Sequence, residues 1–145
     1  MGYINLKFLV LWLKYSISKY SRYKYLFKYI VAVKPRSILE IGVYKGKRST
    51  EMIDLAQSFN KKIQFYGFDL FEKITKKKIR LEFSKNPSNK NEIFKKLSQL
   101  FPKSKIKLIK GNTITTLKNF KIKKKIEFIF IDGGHSIKTI KKDWK

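Results

Sequence analysis

The sequence has no cysteine, so it offers no disulfide, no thiolate metal site and no thiol nucleophile. Acidic residues are scarce: 10 Asp plus Glu stand against 35 Lys plus Arg, a net charge of +25. Arginine is scarce within that excess, being limited to Arg22, Arg36, Arg48 and Arg80. Phosphate and base-edge readers favour the bidentate arginine fork, so the charge does not by itself specify nucleic acid, and no nucleic-acid partner is expected. Alanine occurs only at Ala32 and Ala56, while 19 Ile and 7 Asn accord with an AT-rich coding sequence. Much of the charge then reads as composition on solvated faces. Long apolar runs are missing too: Phe8 to Leu13 spans six residues between Lys7 and Lys14, against the roughly 20 a membrane span needs. No span is expected, and nothing argues for an oxidising compartment; a cytoplasmic setting is the expectation.

What is present suffices for one domain. A chain of 145 residues, 43% hydrophobic and 15% aromatic, can bury about two-thirds of its unfolded surface in a single core, which argues against disorder. From Ile4 to Val33 apolar and aromatic residues recur at helical spacing among Lys, Arg and Ser, predicting one or two amphipathic helices. Packing on the rest of the domain accounts for one face; Trp12 and the tyrosines among lysines also suit an anionic surface. A helical extension over 1–34 and a second unit over 35–145, beginning at Pro35, is the expected organisation.

Past Pro35 short apolar runs alternate with amphipathic stretches. Ser37 to Ile41, Ile63 to Phe68, Ile106 to Ile109 and Ile126 to Ile131 have strand length and β-rich composition. Helices are predicted over Ser49 to Phe59, Phe71 to Phe83, Asn91 to Phe101, Thr113 to Phe120 and Ser136 to Trp144, with Asn86 to Asn89 a loop or helix entry. Strands separated by helices pair in parallel through right-handed crossovers, so the class is α/β, a Rossmann-like doubly wound sheet.

In such a sheet ligands bind beyond the carboxyl ends of the strands. The four runs are followed by Gly42-Val43-Tyr44-Lys45-Gly46, by Asp69, by Gly111-Asn112 and by Asp132-Gly133-Gly134-His135, with Glu40 in the first strand's end. Each residue alone has a bland explanation: a turn glycine, a helix-capping Asp or Asn, a surface His. Four loops meeting at one edge form a candidate crevice. Dinucleotide binding is disfavoured, because Tyr44 replaces the middle glycine and Asp69 lies 27 residues past Gly42. A P-loop NTPase is an alternative, since Gly42 and Gly46 precede Lys47 and Phe128 to Asp132 reads like a Walker B strand. That pattern is short by one spacer residue, with Arg48 where a metal-binding hydroxyl belongs.

The remaining pattern, Glu40-Ile41-Gly42-Val43-Tyr44-Lys45-Gly46, resembles class I S-adenosylmethionine (SAM)-dependent methyltransferases. Phe128 to Trp144, FIFIDGGHSIKTIKKDW, is similar to the I-D-G-x-H stretch of the macrocin O-methyltransferase-like branch, methyltransferase family 24, and the similarity covers about Arg36 to Trp144. It implies a sheet ordered 3-2-1-4, with later strands missing from these residues. It also implies SAM as cofactor: Glu40, Gly42, Tyr44 and Gly46 at the methionine turn, Asp69 on the ribose and Asn112 near the adenine. Asp132 would sit by the methyl donor as a ligand to substrate or to a divalent cation such as Mg, and His135 would be the base. Ile137 and Lys138 depart from the family pattern, at positions expected to meet substrate. SAM is a net cation, and carboxylates at this edge suit it better than a triphosphate.

The implied reaction is O-methylation of a small-molecule or sugar hydroxyl, by in-line displacement with His135 and Asp132 assisting removal of the acceptor proton. The fourth strand would present an apolar edge, open to a completing partner or a second copy. A basic module for RNA or an anionic surface, built on the same scaffold, is the other alternative.

Overall fold

The computed structural model describes residues 5–73, 75–81, 88–121, 125–133 and 141. The N-terminal period is realised as two helices, α1 (Leu6–Ser16) and α2 (Tyr23–Val33). Asn5 starts α1 by accepting the Phe8 N–H at 3.1 Å, relieving one of the amides a helix start leaves unpaired. Lys34 ends α2 in the left-handed conformation, directly before Pro35.

The strands are β1 (Ser37–Ile41), β2 (Gln64–Asp69), β3 (Lys105–Lys110) and β4 (Phe128–Ile131). They form one parallel sheet, as the alternation of strand runs and helices implied, in the order β3-β2-β1-β4 that the family resemblance implied. All five β1 residues are buried, as befits a central strand covered on both faces. The helices between strands are α3 (Lys47–Gln57), α4 (Lys76–Leu81), α5 (Lys90–Leu100) and α6 (Thr113–Thr116). Period-two alternation divides the core. Ile38, Phe65 and Leu108 face a large cluster that holds Phe27 and Ile30 of α2, Met52 and Ile53 of α3, and Leu97 of α5. Leu39, Ile41 and Phe68 face a smaller cluster closed by Leu117, Phe120 and Ile126, in which the Phe120 ring meets Phe68 edge-on at 5.1 Å. The first two helices thus share their core with the sheet.

Three elements differ from expectation. The Lys-rich stretch from Phe71 is broken into a single 3-10 turn, Phe71–Lys73, followed by α4. Phe71 takes a positive φ of 48° and gives its amide to Asp69, so the chain must turn before a helix can start. The Thr113 helix lasts four residues, and β4 starts at Phe128, two residues late. Just before β4 the Glu127 carboxylate accepts the Arg36 amide at 2.6 Å, and Ser37 Oγ donates to the Lys125 carbonyl at 2.9 Å. Of the expected loop, Asn86 and Pro87 lie outside the described residues, while Asn89 caps α5. His135 and the helix expected from Ser136 to Trp144, apart from Lys141, also lie outside them.

Candidate functional site

All four strands deliver their carboxyl ends to one edge. Alternation along β1 turns Glu40 to the α3 side, where it is fully buried. Ser49 of α3 hydrogen-bonds to its Oε2; its Oε1 is buried without a partner among the described residues. Burial pushes this carboxyl up to about 8; the Ser49 bond opposes the shift, and the charges of Asp132 and Asp69 add to it.

Beyond Ile41 the chain turns at Gly42 with φ 94°, and a Cβ there would lie 2.6 Å from the Asp132 carbonyl carbon and 2.8 Å from Gly133 Cα. Only glycine fits this contact between the loops after β1 and β4. The Asp132 amide donates to Ile41 O at 2.8 Å, extending the ladder to the site. Tyr44 is left-handed at φ 49°, and Gly46 at φ 72° starts α3. Asp69 closes the turn: Oδ2 accepts the Tyr44 amide at 2.7 Å and Oδ1 the Phe71 amide at 3.2 Å. A carboxylate has about four acceptor sites, so a diol can still be bound after two amides are satisfied. Asn112 lies at the same edge but caps α6, accepting the Ile114 amide at 3.1 Å.

Several residues here were read from the sequence only as helix faces. The Tyr23 hydroxyl donates to Asp132 Oδ2 at 2.6 Å, and the Arg22 guanidinium lies 3.6 Å from Oδ1. Burial, then the bond to Asp132, raises the Tyr23 pKa. Arg48 lies 4.1 Å from the Tyr23 ring and 4.7 Å from the Tyr15 ring, and bonds to the Tyr15 hydroxyl and to Glu51. Tyr15 donates to the Glu51 carboxylate at 2.9 Å; burial, with Glu51 adding to it, pushes its pKa to about 12. The signal available was chemical: a tyrosine on a buried helix face carries a hydroxyl that must find a partner.

The structure therefore brings Glu40, Gly42, Tyr44, Gly46, Asp69 and Asp132 together, and places Asn112 at the rim. Arg48, at the position where a P-loop carries its metal-binding hydroxyl, is turned onto Tyr15 and Tyr23. For a divalent cation the described residues do not suffice: they contain no cluster of three or more His, Asp or Glu, and Asp132 is already engaged by Tyr23 and Arg22. A small organic cation fits better. The charges of Asp69 and Asp132, which hold the Glu40 proton on, make this edge favour a cation, and an ammonium group brought to it would help Glu40 to ionise.

A family model for a methyltransferase domain, methyltransferase family 24, matches residues 39–145. The chain belongs to this family. Among solved structures, S-adenosylhomocysteine (SAH)-bound methyltransferase PaMTH1 of Podospora anserina is similar with a TM-score of 0.52 and 21% identity, over 90% of this chain and 51% of that one. CmcI with SAH gives 0.46 and 19% over 81% and 48%, and CmcI with Mg-SAM gives 0.48 and 20% over 81% and 42%. At 21% identity the likeness to PaMTH1 is one of fold, and the chain spans about half of that protein's length. No curated protein matches. The sheet order is that of the class I methyltransferase fold.

Proposed function

We propose that this chain binds SAM across the loops that follow β1, β2 and β3, and supplies the cofactor-binding part of a methyltransferase that acts on a small-molecule or sugar hydroxyl. The observation that carries the reading is Glu40, a buried carboxyl with one oxygen unpartnered among the described residues, set beside Asp69 and Asp132 in a chain of net charge +25. Few ligands other than an organic cation favour such a spot in so basic a protein. Membership of a methyltransferase family and likeness to SAH-bound PaMTH1 support the same cofactor.

When bound, SAM supplies an electrophilic methyl group on a sulfonium. Glu40 would draw the ammonium end, Asp69 would hold the ribose hydroxyls, and the glycines at 42 and 46 would let backbone approach the ligand. Tyr44 would flank the methionine end and Asn112 the adenine end. Asp132, held by Tyr23 and Arg22, would face the acceptor, and His135 would take the acceptor's hydroxyl proton on a ring nitrogen. The outer edge of β4, where Ile129 is 58% exposed, is assigned to a completing strand or a second copy, and a cytoplasmic setting belongs to the same proposal.

Titration calorimetry tests the cofactor. Saturable binding of SAH is expected, lost with Asp69→Ala and insensitive to Mg-ATP. Mg-ATP binding that Lys47→Ala abolishes, with no SAH heat, would replace this reading by the NTPase one. His135→Ala should reduce turnover far more than SAH affinity; equal loss of both would remove His135 from the base role.

A further inference from the structure

Residues 5–34 carry seven cations (Lys7, Lys14, Lys19, Arg22, Lys24, Lys28 and Lys34) and no acid. In that setting α1 is apolar on two opposite sides. Leu11 and Tyr15 point into the core. On the other side Leu6, Val10, Leu13 and Ile17, at positions i, i+4, i+7 and i+11, are 70, 57, 57 and 91% exposed. A helix apolar on both faces ordinarily has cover on both. The neighbouring α2 repeats the pattern: Leu26, Phe27 and Ile30 are buried, while Tyr25, Tyr29 and Val33 are 52, 62 and 48% exposed. Trp12 joins the two helices, meeting Tyr25 edge-on at 6.1 Å with Lys24 over both rings. Between the helices lies an open, apolar cleft of about 590 Å³, lined by Phe8, Leu9, Trp12, Lys28, Val31 and Ala32.

We propose that the outer face of α1 and α2 docks this protein onto an anionic lipid bilayer. The choice of occupant follows from charge and side-chain chemistry. Lys19, Lys24 and Lys28 have no carboxylate partner among the described residues, so they are available to lipid phosphates and carboxylates, each adding to the attraction of an anionic surface. A second copy would set Lys19, Lys24 and Lys28 against their own counterparts, whereas Lys7, Lys14 and Arg22 already have carboxylate partners. Single-stranded RNA would satisfy the lysines but offers no apolar volume for Leu6, Val10, Leu13 and Ile17. A bilayer meets both needs: aliphatic side chains enter the acyl boundary, Trp12 and the tyrosines sit at headgroup level, and lysine stems reach outward. Helices of 11 residues with this pattern lie in the interface; among the described residues none is long and apolar enough to cross it.

Co-sedimentation of the whole chain with vesicles provides the test, using phosphatidylcholine alone and phosphatidylcholine with one-third phosphatidylserine. Binding to the anionic vesicles only is expected, weakening as salt rises from about 0.1 to 0.5 M. Val10→Asp with Leu13→Asp should lower vesicle affinity about tenfold or more, with an unchanged circular-dichroism melt because both sites are exposed. Lys19→Glu with Lys28→Glu should remove most of the salt dependence. The proposal fails if anionic vesicles do not retain the chain, or if retention is indifferent to the Val10/Leu13 pair. It also fails if that pair instead abolishes a dimer seen by sedimentation velocity, or if RNA homopolymer binds where vesicles do not.

Discussion

Glu40 keeps a carboxyl where, among the described residues, only Ser49 answers it, and that single side chain makes the protein's pH behaviour testable. The unfolded chain releases this proton near pH 4.5, while the folded chain keeps it to about pH 8. The folded state binds more protons throughout that window, so its contribution is fully favourable below pH 4.5 and is lost as pH rises to about 8. Glu40→Gln should flatten this decline and raise stability at pH 8 by a few kcal/mol, each tenfold in proton affinity being worth about 1.4 kcal/mol; urea titrations at pH 5 and 8 give the comparison. If Glu40 receives the ammonium of the cofactor, SAH affinity should tighten between pH 6 and 8 in the unaltered chain and lose that slope in Glu40→Gln. At Asp132, Tyr23→Phe removes a bond to a partly buried carboxylate and should cost about 1 kcal/mol, read from the shift in urea midpoint. Glu40, Asp69 and Asp132 were legible in the sequence because each follows or ends an apolar run. Tyr23 was not, because it stands 109 residues from Asp132.

Among the elements, the strands were the most legible, since their β-rich runs are local and bounded by turn residues. The stretch after β2 was the least: its lysines and isoleucines fit a helical period, but the Asp69 carboxylate takes the Phe71 amide and forces a turn there. The loop after β1 depends on β4 as much as on its own glycines. Gly42→Ala combines a φ of 94° with overlap onto the Asp132 backbone, and should destabilise by about 2–4 kcal/mol. Because the same shift disturbs the Asp69–Tyr44 clip, SAH binding should be weakened in the folded fraction that remains, measured by calorimetry below the melting range. Removing α1 and α2 has a coarser effect. Phe27 and Ile30 are wholly buried against the face that holds Met52 and Ile53, so a chain starting at Pro35 should lose cooperative melting unless other apolar cover is supplied.

For the whole molecule the charge is the leading fact. At +25 the protein repels any cation approaching from a distance, while the carboxylates of Asp69 and Asp132 attract one that has arrived. Screening beyond about 8 Å at physiological salt weakens the first effect more than the second. SAM carries one more positive charge than SAH, so the affinity for SAM relative to SAH should rise by about twofold between roughly 0.02 and 0.15 M salt. A ratio that falls with salt would mean that the remote lysines assist binding. Among these lysines Lys19, Lys24 and Lys28, which have no carboxylate partner among the described residues, are what make an anionic bilayer the fitting partner for the outer face.

By itself the sequence determined the parallel sheet, its turn glycines and the acids at the strand ends, because strand runs, turns and caps are written in neighbouring residues. Tertiary structure alone decided which of those acids would be buried, paired or shared. Glu40 lost water because α3 packed over it, Asp132 gained Tyr23 and Arg22 because α2 folded back onto the sheet, and Arg48 was captured by two tyrosines from α1 and α2. The missing cysteines and scarce arginines excluded chemistries in advance. The few carboxylates acquired a role only when the fold gathered them, since burial and electrostatic coupling depend on distances between residues far apart in the chain.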